Sequence, residues 1–123
     1  MSTNAPIPTE LTLHREARLL ELAYADGRRF QLPCEYLRVY SPSVEVRGLG
    51  ELVTGKERVN ITEIAPMGNY AVRIFFDDRH RSGVYSWEYL YELAINRPQY
   101  WNDYLRRLQQ AGYHRGDAAA EAG

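Results

Sequence analysis

The chain alternates apolar and polar residues over its first two-thirds and then changes period. Leu11 and Leu13 are two apart, as are Leu20, Leu22 and Tyr24, and then Phe30 and Leu32. A period of two puts each set on one face of a strand. Ala25-Asp26-Gly27-Arg28 separates the second and third runs. Asp-Gly between alternating runs predicts a type I′ hairpin, a turn with φ > 0 at both central residues. Pro33 ends the third strand. Cys34 to Tyr40 reads as a short helical turn before Ser41-Pro42-Ser43. Val44 to Arg47 reads as a further strand, and Gly48, Gly50 and Gly55 mark loop.

Val59 to Ala65 is strand-like, and Pro66-Met67-Gly68-Asn69 reads as a turn. Tyr70, Val72, Ile74 and Phe76 then alternate with Ala71, Arg73 and Phe75, the clearest strand in the chain. A charged loop from Asp77 to Gly83 leads to a short strand at Val84-Tyr85.

The period changes at Ser86, a suitable N-cap. Trp87, Leu90, Tyr91 and Ala94 follow i, i+3, i+4, i+7, which predicts a helix of about ten residues. Asn96-Arg97-Pro98 breaks it, and Pro98 suits the first position of a second helix. Tyr100, Trp101, Tyr104, Leu105 and Leu108 form one face of that helix, and Gly112 suits its stop. The pattern predicts an α+β fold: antiparallel hairpins forming a meander sheet, then two C-terminal helices packed against it. Residues 1–8 and 113–123 read as tails around a single domain, 9–112.

The length of 123 residues fits one domain with one core. The single cysteine, Cys34, excludes an internal disulfide framework and zinc fingers built from paired cysteines. No stretch approaches the roughly 20 apolar residues of a membrane span. Met1 to Pro8 has no basic segment followed by an apolar run, so a cytoplasmic location is expected. A net charge of -1 gives no footprint for nucleic acid. Two excesses stand out. Lys56 is the one lysine among 15 basic residues, and there are ten tyrosines. Ten tyrosines exceed what a small core is expected to bury with each hydroxyl paired, which predicts some at the surface or at a partner interface.

The chemical candidates are few. His14-Arg15-Glu16 spells the start of a facial iron triad, but His14 lies in a strand pattern and reads as solvent-facing. His114 lies in the tail. His80 sits in a loop with Asp77, Asp78, Arg79 and Arg81, a setting for a metal, a proton shuttle or plain turn bonding. Cys34 reads as a small buried hydrophobe, with a nucleophile as the alternative. Arg106 and Arg107 read as a solvated helix face. No G-x-S-x-G, P-loop or G-x-G-x-x-G is present.

Two longer patterns carry a resemblance. The first is Pro66-Met67-Gly68-Asn69-Tyr70-Ala71-Val72, then Phe76 through Trp87 with His80-Arg81-Ser82-Gly83-Val84-Tyr85, then Leu90. The second is Leu22, Asp26-Gly27, Leu32-Pro33 and Glu35-Tyr36-Leu37-Arg38, followed by Gly48, Ile61 and Ile64. Together they resemble the gamma-butyrobetaine hydroxylase-like N-terminal domain, also catalogued as a domain of unknown function. The resemblance spans Thr9 to Leu108.

In the full-length hydroxylases that domain precedes a catalytic jelly roll holding iron and 2-oxoglutarate. Only a helix end and a tail follow Leu108, so the resemblance does not carry oxygenase activity. The family's structural zinc, bound by three Cys and one His, maps onto Ser41, Ser43, Val46 and His80. The thiolates are absent, so no metal and no cofactor are expected. Arg79 stands where similar sequences have Gly. Relatives also occur attached to P-loop ATPases implicated in iron–sulfur cluster handling.

The expectation is therefore a non-catalytic binding or adaptor domain, a monomer or weak homodimer, with an unidentified protein partner or small ligand. Its surface is expected around Asp77, Asp78, Arg79, His80, Arg81, Tyr85 and Arg38. The alternative is a metal or iron–sulfur accessory protein using the His80 loop.

Overall fold

Leu20 and Leu22 are fully buried, and each sits between apolar neighbours on both sides. Leu20 pairs with Leu13 and Leu32, and Leu22 with Leu11 and Phe30. These two rows form the apolar face of a three-stranded antiparallel sheet: β1 (Glu10–His14), β2 (Leu19–Ala23) and β3 (Arg29–Pro33). The computed structural model describes residues 6–42, 53–78 and 83–113.

A second antiparallel sheet follows the same plan. It contains β4 (Ile61–Met67), β5 (Ala71–Phe76) and β6 (Gly83–Ser86) in sequence order. Pro66 opposite Val72 and Val72 opposite Tyr85 make one row, and Ile64 opposite Ile74 the next. The meander is thus two sheets rather than one. Both turn their apolar faces into a shared core with α1 (Cys34–Val39) and α2 (Trp87–Ile95). α3 (Arg97–Gln110) adds a smaller cluster, in which Tyr104 and Leu108 meet Val39.

Two local expectations are corrected. Pro66 and Met67 belong to β4, not to the turn, which is Gly68-Asn69-Tyr70. Pro66 fits because β4 is an edge strand and the missing N–H faces away from β5. The hairpin at Asp26-Gly27 is present but is not type I′, since Gly27 alone has φ > 0 there. Gly27 N donates to the Tyr24 carbonyl and Tyr24 N to the Arg28 carbonyl. That is a three-residue loop, a turn closed by a left-handed glycine. The turn between β1 and β2 spans Arg15 to Arg18 and uses Arg18 at φ 56. The strand expected at Val44 to Arg47 lies outside the described residues.

The helices follow the sequence closely. The Ser86 hydroxyl accepts from Tyr89 N and caps α2. Pro98 lies in the first turn of α3, and Gly112 with φ +79 follows its end. All six residues of α1 are buried. No helix among the described residues is long and apolar enough to cross a membrane.

Candidate functional site

Asp77 and Asp78 follow β5 directly, yet they face different neighbours. Asp77 Oδ1 accepts from Asn60 N at 3.1 Å, and Asp77 N donates to the Asn60 carbonyl. Asp78 Oδ2 lies 2.8 Å from Arg38 Nε and 2.7 Å from Lys56 Nζ. Two cations thus share one carboxylate oxygen. Arg38 comes from α1, whose other residues pack into the core, and its side chain is 10% exposed. Its Nη1 is buried without a hydrogen-bond partner. Charged donors paired this way are the stronger class of hydrogen bond, and an unspent buried donor is costly.

Lys56 was not singled out by the sequence as a site residue. Its solitary status in an arginine-rich chain was the available signal, but nothing in the spacing tied it to Asp78.

Tyr85 is fully buried, so its side chain does not reach the surface. Its hydroxyl donates to the Leu37 carbonyl at the end of α1 and is also hydrogen-bonded by Ser41. Burial pushes its phenol well above the ordinary range. Ser41 is itself fully buried. Gly83 packs against it: a Cβ built there would meet Ser41 Oγ at 2.6 Å and Pro42 Cδ at 3.1 Å. The Gly-x-Tyr sequence of β6 therefore serves to seat the chain leaving α1.

These contacts bear on Ser41, one of the four positions that the family resemblance links to zinc. Ser41 offers a neutral hydroxyl already bonded to Tyr85. Such a donor does not fit zinc, which takes thiolate, imidazole or carboxylate. Ser43, Val46, Arg79, His80 and Arg81 lie outside the described residues. Among the described residues, no three of His, Cys, Asp and Glu are grouped to hold a metal ion.

Cys34 is fully buried at the start of α1. Its thiol points to Asn60 Oδ1 at 3.7 Å, and burial pushes its pKa up to about 11. A thiol held protonated is a poor nucleophile at neutral pH. His14 lies on the polar face of β1, with Nε2 2.9 Å from Glu21 Oε1; Glu16 lies in the following turn.

The tyrosine excess resolves into internal bonding. Hydroxyls of Tyr36, Tyr40, Tyr89 and Tyr104 donate to the carbonyls of Leu93, Tyr100, Tyr40 and Val53. Tyr100 donates to Glu92, and Tyr91 accepts from Arg28. Tyr70, at 58%, is the one exposed large aromatic among the described residues. Tyr70 is thus the tyrosine at the surface, and the Tyr24 hydroxyl is buried without a partner. Five of the ten tyrosine hydroxyls, those of Tyr36, Tyr40, Tyr85, Tyr89 and Tyr104, donate to carbonyls distant in sequence.

Arginine has a parallel role between the sheets. Arg15 reaches from the β1–β2 turn to the carbonyls of Ile61 and Thr62 in β4. Arg18 Nε donates to the Arg58 carbonyl, and Asn60 Nδ2 returns a bond to the Arg15 carbonyl. The planar fork of Arg suits two successive acceptors, which a lysine ammonium does less well.

Two packed three-stranded meanders closed by C-terminal helices, with the β6 Gly-x-Tyr seated on α1, define a small α+β module. The sequence profile described as gamma-butyrobetaine hydroxylase-like, N-terminal, matches residues 11–91. The chain belongs to that family. Among solved structures, two proteins determined in solution by NMR are similar to it, each with a TM-score of 0.79. One is 50% identical, with 94% of this chain and 90% of that one covered. The other is 44% identical, with 91% of each covered. A crystal structure of a protein of unknown function from Acidithiobacillus ferrooxidans is 38% identical. It covers 76% of this chain and 98% of its own length at a TM-score of 0.65. No curated protein matches the chain.

Proposed function

We propose that the protein is a small non-catalytic binding module, and that Lys56 and Asp78, backed by Arg38, make its contact with a charged group on a partner or small ligand. The observation that carries this reading is the shared carboxylate oxygen of Asp78. Two cations converge on it while Arg38 Nη1 remains a buried donor without an acceptor. An incoming carboxylate or phosphate would meet Lys56, the more exposed of the two cations that share one carboxylate. The raised pKa of buried Cys34 supports a binding role over covalent catalysis.

The test is an amide NMR titration with two probes, inorganic phosphate and a hexaglutamate peptide. Saturable shifts at Arg38, Lys56 and Asp78 that vanish in Lys56→Gln are expected. No shift at millimolar probe, or shifts of equal size in Lys56→Gln, would overturn the reading.

A further inference from the structure

The exposed sheet edges of this protein are treated unequally. β4 is an edge strand, and it is blunted at both ends. Arg15 occupies the carbonyls of Ile61 and Thr62, and Pro66 has no N–H to offer. β3 is an edge strand too. Arg97 Nη1 donates to the Gln31 carbonyl at 2.7 Å, and Pro33 again lacks an N–H. β6 is four residues long, and its last residue turns into the cap of α2. These are the devices by which sheet edges avoid pairing with other chains.

β1 has none of them. It contains no proline and no register shift. Which of its backbone groups face outward follows from the hydrogen-bond pattern. Tyr24 with Arg28, and Cys34 with Arg18, are bonded across β2 and β3. Alternation then assigns Leu20 and Leu22 to β3, and Leu19, Glu21 and Ala23 to β1. Their partners in β1 are His14, Thr12 and Glu10. The backbone groups of Leu11 and Leu13 therefore point away from the sheet. Among the described residues, no group outside the sheet bonds to them.

We propose that this edge pairs with the same edge of a second copy of the chain, antiparallel and centred on Thr12. The sequence Glu10-Leu11-Thr12-Leu13-His14 fits that symmetry position by position. Leu11 faces Leu13 of the second copy, and the reverse, as hydrogen-bonded pairs that use the outward groups. Thr12 faces itself on the two-fold axis. Glu10 faces His14 of the second copy, and opposite charges directly across strands are favourable when the histidine is protonated. Within one chain Glu21 lies 2.9 Å from His14 and Arg29 lies 4.0 Å from Glu10, so both groups stay in a network of alternating sign. Beside the edge runs an open apolar groove of about 460 Å³ lined by Leu11, Leu13, Ile64, Val72 and Trp87. Pairing would set two such grooves side by side and join the leucine rows of both copies into one six-stranded sheet. The interface is isologous, as closed dimers require.

The test exploits the axis. Facing residues of a non-hydrogen-bonded pair lie about 4.5 Å apart at Cα, within disulfide reach. Thr12→Cys should cross-link under mild oxidation at least about tenfold faster than Glu63→Cys on the blunted β4 edge. Buried Cys34 stays out of the reaction. Thr12→Lys places like charges face to face and should weaken self-association by about tenfold or more in sedimentation equilibrium. Circular dichroism spectra matching the wild type serve as the check that both variants fold. Wild-type protein that remains at 14.3 kDa up to millimolar concentration, with Thr12→Cys no faster than the control, overturns the proposal. So does a dimer that Thr12→Lys leaves intact, because it would use another surface.

Discussion

Gly83 and Ser41 are in such close contact that a methyl group on the glycine would lie 2.6 Å from the serine oxygen. Both residues are buried, and Ser41 also bonds the Tyr85 hydroxyl. The chain leaving α1 and the strand β6 are held together there. Gly83→Ala should cost about 1–3 kcal/mol, the range for overpacking a well-filled site. Urea denaturation of Gly83→Ala, Ser41→Ala and the double variant checks this. A double variant as unstable as the sum of the singles would show that the clash is not with Ser41.

Two tyrosines offer an internal contrast. The Tyr36 hydroxyl donates to the Leu93 carbonyl at 2.7 Å, whereas the buried Tyr24 hydroxyl has no partner. Tyr36→Phe leaves a carbonyl unsatisfied and should destabilise by about 1–2 kcal/mol. Tyr24→Phe removes an unpaired polar atom and keeps the ring packed on Phe30 and Tyr91, so it should be neutral or stabilising. In thermal melts Tyr36→Phe should lower the midpoint and Tyr24→Phe should not.

Alkaline pH should destabilise the protein through three groups whose protons the fold holds. Burial pushes Cys34 up to about 11 and Tyr24 to about 12, and the Glu92 bond pushes Tyr100 to about 12. In the unfolded chain these protons leave at about 8.5 for Cys and 10 for Tyr. The folded state therefore binds more protons from about pH 8.5 to 12, and stability falls as pH rises through that span. Below it the contribution is constant. Denaturation midpoints measured from pH 7 to pH 11 should be flat and then decline. A flat profile to pH 11 would contradict the assignment.

The Arg38–Asp78 pair is mostly buried, with side chains 10% and 17% exposed. Asp78→Asn leaves a buried guanidinium uncompensated and should cost about 3 kcal/mol or more. Arg38→Met removes the charge and its unsatisfied nitrogen together, so it should cost less. Denaturation of both variants at neutral pH decides the order.

The strands were legible because each sheet has one apolar face, so Leu11, Leu13, Leu20 and Leu22 alternate in plain view. The helices were legible from the Ser86 cap and the i, i+3, i+4 spacing after it. The turn at Arg15 to Arg18 carries no glycine, asparagine or proline, and Arg18 takes the left-handed conformation without a sequence signal. Pro66 misled because proline marks turns and edge strands alike. The charged cluster was half visible. Arg38 and Asp78 stood out, but their pairing spans 40 residues and Lys56 joins from a loop. Tyrosine bonding was invisible for the same reason, since its acceptors are backbone carbonyls 48 to 60 positions away.

Every strand in both sheets pairs with its immediate neighbour in the chain. Ring closure for each pairing is therefore short, and its entropic cost is small. Each meander can assemble from local contacts, leaving one long-range event, the docking of the two halves around α1. Folding speed should then depend on the residues at that seam, such as Arg15 and Tyr85, more than on the strands themselves.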